Sequence, residues 1–229
     1  MERPADTGLH RLVHQAMVAG FERLRDGVAS TTPADRALRL PALVSWSSGL
    51  VAEIGAHHAD EDDRVFPALA ERVPSADGLV AVLEADHLLL ATLLHELTRA
   101  IAALADPAQP FVPAKASADL VLEHAGDLVT THVGVEDADL LALIERHMTF
   151  DEHPASSGWP GEGAPQARLD WTVPWLLGRC PPQLRADLLD GAPANVRVAW
   201  ERAAPAHLAL ERVAFDRQPP SPQSGLAAG

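Results

Sequence analysis

The chain has 229 residues, 47% of them hydrophobic, which is enough for one good core and a smaller appendage. With 32 acids against 18 lysines and arginines the net charge is −14, a surface that repels nucleic acid and anionic lipid and argues against both as partners. No apolar run reaches the about 18 residues of a membrane span, the first residues lack a signal-peptide layout, and the single Cys180 excludes an internal disulfide framework, so the expected location is the cytoplasm.

The first amphipathic stretch runs over roughly 8–28, with His10, His14, Met17, Phe21, Leu24 and Val28 at steps of three and four. The second, about 33–72, turns Leu43, Leu50, Ile54, His57, Glu61 and Leu69 to one face. Thr32 suits its cap, with Pro33 in the first helical position and Asp35 in the first turn, although Pro41 equally marks a later start or an early kink. Pro67 should kink this helix or open a new segment. The third stretch, about 76–105 with Ser75 as cap, carries Val80, Leu83, His87, Leu90, Leu94, Leu97, Ile101 and Leu104. The fourth, about 113–148, carries Val121, His124, Leu128, His132, Val135 and Glu136. Breakers separate the segments and no strand alternation is evident, so the prediction is all-α, an up-down-up-down four-helix bundle over 1–150.

Composition changes after Phe150. Residues 151–168 read as a linker and 169–216 as a small helical extension. In the extension, Pro181-Pro182 opens a helix that Gly191 ends, and Pro193 opens another to about Phe215, with Pro205 a potential break. Trp171, Trp175 and Trp200 are expected to pack on the bundle, and 217–229 reads as a disordered tail.

The chemistry concentrates in a repeated pattern. His57 and Glu61, followed by Asp62, and His132 and Glu136, followed by Asp137, each place an imidazole and a carboxylate one turn apart on an apolar helix face. An up-down-up-down path brings His14, early in its helix, His57 and Glu61, late in theirs, His87, and His132 with Glu136 to about one level. Imidazoles and carboxylates without thiolate suit iron, manganese or zinc. Carboxylates from two opposed helices, Glu61 and Glu136, can bridge two ions roughly 3.5–4 Å apart. His58 and His10 are further candidate ligands, and Asp62 and Asp137 candidate acceptors for the rear nitrogens of ligand imidazoles. His95 and His124 are read as supporting or interface groups, and His147, His153 and His207 as surface residues. The bland alternative is a metal-free interaction module holding two buried ion pairs, which would add little stability. Glu84-x-x-His87 is half of a ferritin-type signature without its partner, and the absence of tyrosine excludes tyrosyl-radical chemistry.

The order of His14, then His57 to Pro67, then Asp86-His87, then His132 to Asp137 resembles the hemerythrin family, specifically bacterial hemerythrin-like (HHE cation-binding) domains, over about 8–148. The remainder is similar to an extension seen in some actinobacterial members. The resemblance implies two iron ions, Fe2+ or Fe3+ and oxo- or hydroxo-bridged, with manganese or zinc ranked behind iron. It also implies a non-heme diiron protein that binds and reacts with O2, peroxide or NO. A diiron oxidoreductase, an oxidase or oxygenase acting on a small organic substrate, is the alternative. Two departures stand out. Oxygen carriers place a second histidine on helix three where this chain has Ala91, so that ligand is either lost or replaced by His58 or His10, and a histidine restored at 91 is expected to close an open position. Carriers also set the helix-four carboxylate where Asp137 stands. Glu136 is preferred here because its spacing repeats that of helix two. The departures favour exogenous-ligand chemistry over simple oxygen carriage.

Overall fold

Apolar and histidine side chains recurring on one face make the first segment a single helix, α1 (Gly8–Ala29), that buries His10, His14, Met17, Phe21, Leu24 and Val28. Thr32 receives the capping bond expected of it, its amide donating to Asp35 Oδ2 at 2.7 Å, but what it opens is one 3₁₀ turn, Pro33–Ala37. Helix α2 (Arg39–Asp60) then starts afresh with Pro41 in its first turn, where a missing N–H costs nothing. It runs into a π turn, Glu61–Val65, and on into α3 (Phe66–Arg72), which Pro67 opens as a new segment. A 3₁₀ turn, Pro74–Ala76, leads to α4 (Asp77–Ala105). Ser75 does not cap it: the residue before the helix is Ala76, which has no side-chain acceptor to give. Helix α5 (Phe111–Val135) ends in a second π turn, Glu136–Leu140, followed by α6 (Leu141–His147).

The computed structural model describes residues 3–153, 159 and 164–216; the expected tail at 217–229 and half of the expected linker lie outside them. α1 packs on α2 and α5, and α4 on the same two, which is the square of an up-down-up-down bundle. Two apolar clusters fill it. The larger includes Met17, Leu24, Trp46, Leu50, Leu94 and Val129, the smaller Phe66, Leu69, Leu83, Leu140 and Ile144. Along every helix the histidine and glutamate positions fall between the two, so a polar layer crosses an otherwise apolar interior. α4 corrects one expectation: Pro74–Ala105 is long and apolar enough to cross a membrane by length and composition alone. Its Val80, Leu83, Leu90, Leu94 and Leu97 are buried in the bundle, as a core helix requires.

The extension begins at Gln166, inside the stretch read as linker, with α7 (Gln166–Leu177), and continues with α8 (Pro182–Asp190) and α9 (Ala194–Phe215), which runs unbroken through Pro205. Trp175, Leu176 and Leu177 join the bundle core, as does Trp159. The Trp171 indole fills a notch over Gly49, where a Cβ would stand 1.9 Å from its Nε1. Polar ties fix the same face. Arg168 donates to both Glu53 oxygens at 3.1 and 3.0 Å, Thr172 donates to Glu53 at 2.5 Å, and Trp46 Nε1 donates to Glu211 at 3.2 Å. His207 is buried beside Glu211 rather than on the surface, because α9 turns that face onto the bundle.

Candidate metal centre

The polar layer is built from six imidazoles and two carboxylates. His10, His14 and His57 meet Glu61 in one group, and His58, His87 and His132 form another, with Glu61, His87 and Glu136 linking them. A pseudo-two-fold relation connects the halves. His14 and His57 point their Nε2 atoms at each other across 3.1 Å, and His87 and His132 do the same across 3.1 Å. Glu61 presents Oε1 to His10 Nε2 at 2.9 Å and to His57 Nε2 at 3.2 Å, while its Oε2 lies 3.6 Å from His87 Nε2. Glu136 Oε2 sits 3.3 Å from both His14 Nε2 and His132 Nε2. Each glutamate therefore faces both halves.

Two rear nitrogens are hydrogen-bonded from outside and a third has a carboxylate behind it. His14 Nδ1 meets Asp137 Oδ1 at 2.9 Å, His87 Nδ1 meets Asp62 Oδ1 at 2.7 Å, and His132 Nδ1 lies 3.5 Å from Asp86 Oδ2. The first two are hydrogen bonds and fix which nitrogen of His14 and His87 faces inward. Arg11 anchors Asp137 in turn, donating to its backbone oxygen at 2.9 Å. The symmetry fails at the third imidazole of each half. His10 reaches the first half from the preceding turn of α1. His58 reaches the second from α2, stacked on His87 with centroids 4.0 Å apart.

The local backbone explains the aim of the carboxylates. Both π turns start at the glutamate itself: Phe66 N–H reaches back to the Glu61 carbonyl and Leu141 N–H to that of Glu136. One extra residue per turn re-registers the helix beyond each glutamate, a device common at functional sites. Nothing in the sequence foretold the pair.

Electrostatically the layer is poised to receive cations. Burial pushes His14 and His58 toward the neutral form, and His58, crowded by His87 and His57, is held at about 2. Burial opposes charge on His57 too, but Glu61 overrides it and raises His57 to about 9. Likewise Glu136 outweighs burial at His132 and raises it. Glu61 is lowered well below the usual carboxylate range, because the His57 charge and the bonds from His10 and His57 overcome its burial. Glu61 Oε2 and both Glu136 oxygens are buried, yet none of their contacts has hydrogen-bond geometry. Buried carboxylate oxygens without donors are costly unless a cation meets them. The donor set, imidazoles and carboxylates without a thiolate, fits metal cations.

The sequence-predicted residues thus converge, with corrections. His10 and His58, read only as further candidates, both enter the layer, so neither half is short of an imidazole. Ala91 is exposed, and a histidine there would start from the solvent side of α4. Glu136, not Asp137, faces inward. His95 and His124 are exposed and support nothing in the layer. His153, read as a surface residue, is buried at 2% exposure, with its ring parallel to His10 at 5.7 Å. It lies beyond the helical periodicity, so no pattern pointed to it.

A helical bundle crossed by a layer of converging imidazoles and carboxylates defines a metal-binding domain. A model of the hemerythrin HHE cation binding domain matches residues 9–144, well over half of the chain, which therefore belongs to that family. No curated protein and no solved structure matches the chain.

Proposed function

We propose that this chain is a non-heme diiron protein that binds and reacts with O2, peroxide or NO in the cytoplasm. The observation that carries the reading is the paired half-sites: three imidazoles on each side of two glutamates that face both. The ligand residues would be His10, His14, His57, His58, His87, His132, Glu61 and Glu136. When bound, a pair of irons supplies reversible one-electron chemistry and open positions for small diatomic or peroxidic ligands. The chain's own contribution is placement. Asp62 and Asp137 fix the tautomer and tilt of His87 and His14, the π turns aim the glutamates, and the two apolar clusters above and below exclude water. Phe66, stacked at 5.5 Å on His87, closes the second half with an apolar face. Trp175, Leu176 and Leu177 are buried in the core, which favours small-ligand chemistry over oxidation of an organic substrate under a Trp171–Leu177 roof. Metal analysis of protein loaded with ferrous iron and exposed to air, together with its optical spectrum, tests the reading. About two irons per chain with near-ultraviolet charge-transfer bands are expected, and a single tightly bound zinc with no second ion would overturn it.

A further inference from the structure

Burying a neutral imidazole with neither ring nitrogen paired is costly, because both atoms forgo water without compensation. His153 does this: at 2% exposure, neither Nδ1 nor Nε2 has a hydrogen-bond partner among the described residues. The ring lies parallel to that of His10, at 5.7 Å and 10°, and His10 Nε2 is the atom that meets Glu61. His10 Nδ1 is likewise buried and unpaired, unlike the rear nitrogens of His14 and His87, which face aspartates. Three orphaned imidazole nitrogens therefore gather at one end of the first half-site. At the second half-site an apolar ring, Phe66, stacks on His87. The second half keeps one such atom, His132 Nδ1, and a carboxylate, Asp86, stands 3.5 Å behind it.

The position of His153 is not that of a loose linker. Pro4 and Thr149 pair as a short antiparallel bridge, Ala5 N–H donates to Met148 O at 3.1 Å, and Phe150 N–H donates to Arg3 O at 2.9 Å. His153 N–H donates to Thr149 O at 3.1 Å, and the Arg72–Glu152 ion pair ties the same strap to α3. The strap presents the imidazole in a fixed place. An imidazole carries at least one N–H in either protonation state, so the ring always has a proton to donate.

We propose that His153 is a binding residue for a small anionic ligand taken up at the His10 half of the metal pair, to which it donates a hydrogen bond. This rests on the diiron reading. The ligand class follows from the setting: the guest must reach a ferric ion among buried side chains, which limits its size, and must accept from an N–H.

Azide is the probe, titrated into the diferric full chain and followed by its charge-transfer band, with iron content measured on the same samples. His153→Phe keeps the stacked shape and removes the donor, His153→Gln restores an N–H, and the exposed His147→Phe is the control. With two irons retained, azide should bind about tenfold more weakly to His153→Phe, be partly rescued in His153→Gln, and be unchanged in His147→Phe. Unchanged affinity in His153→Phe with two irons present overturns the assignment, as does wild-type diferric protein that takes no azide. Loss of one iron in both His153 variants also overturns it, because His153 would then be a ligand or a prop for His10. Failure of the wild-type chain to hold two irons overturns the diiron reading and this one with it.

Discussion

Glu61 and Glu136 each divide their reach between two sets of imidazoles, whereas Asp62 and Asp137 touch only the rear of His87 and His14. Removing a bridge should differ from removing a prop. Glu61→Ala or Glu136→Ala should each lose most of the second metal. Asp62→Ala and Asp137→Ala should weaken metal binding by about 10–100-fold. Metal titrations of the four variants check this, and an Asp137→Ala that strips both ions while Glu136→Ala keeps them would refute the arrangement. The His57–Glu61 pair sets a pH trend. His57 is raised from 6.5 to about 9, so its contribution to apoprotein stability is complete below 6.5 and lost as pH rises through about 9. Glu61 is lowered, so its contribution is present above 4.5 and lost only as pH falls through its depressed value. A metal must displace the His57 proton, so affinity should rise between pH 6.5 and 9 with proton release, while the apoprotein loses stability over the same interval. Metal affinity that is flat across that range would contradict this. At this scale the repeated His-x-x-x-Glu was legible because a period of 3.6 puts both groups on one face. His58 was harder to read, since it adjoins His57 and enters the layer only through the rotation of α2 about its own axis. His153 was illegible, since a strap held by backbone bonds has no periodicity to read.

Among the elements, the two π turns are the least expected feature. Pro67 stands six residues after Glu61 and offers a reason for the first turn, since it has no N–H for the helical ladder. The equivalent position after Glu136 is Ala142, and the turn forms there all the same. The glutamate's placement, not the proline, is what the two copies share. Pro67→Ala should therefore retain two metals and change stability by less than about 1 kcal/mol, as read by metal analysis and thermal unfolding. Loss of a metal would show that the proline imposes the turn. The opposite sensitivity is expected where α7 meets α2. A methyl at Gly49 would overlap the Trp171 indole, which is itself packed against Trp46 and Trp175. Gly49→Ala should cost about 1–3 kcal/mol by forcing α7 outward, with two metals still bound. An unchanged melting temperature would mean that α7 is not fixed by this notch. Helix existence was readable from apolar spacing in all four bundle segments. Helix starts were not: Thr32 and Ser75 are good caps by composition, yet 3₁₀ turns intervene before α2 and α4.

Across the whole molecule, the polar layer divides one interior into two apolar clusters. The bundle and its extension bury Leu24, Leu43, Trp46, Leu97 and Val173 together in the larger cluster, so that end has a core of its own. Among the described residues, α2 with its π turn, α4 and α5 run from the smaller cluster through the layer into the larger one. Without cations that layer is a buried collection of imidazoles and carboxylates whose oxygens lack donors. With them it links all four bundle helices at one level. Metal removal should therefore leave the helical content largely in place and weaken the end built on Phe66, Leu83, Leu140 and Ile144. A ligand that binds only the folded state stabilises by about 2.7 kcal/mol at a hundredfold excess over its Kd. Chelation should lower the melting temperature clearly, with far-ultraviolet circular dichroism near that of the loaded protein at 25 °C. Amide exchange should quicken most in α3, α6 and the first turns of α4, and least in α9, which is tied to α2 at Arg39 and Trp46, turns away from His57. Uniform quickening across the chain would mean that the two clusters unfold as one unit. A melting temperature indifferent to chelation would mean that the imidazole layer is satisfied without metal, in favour of the metal-free module.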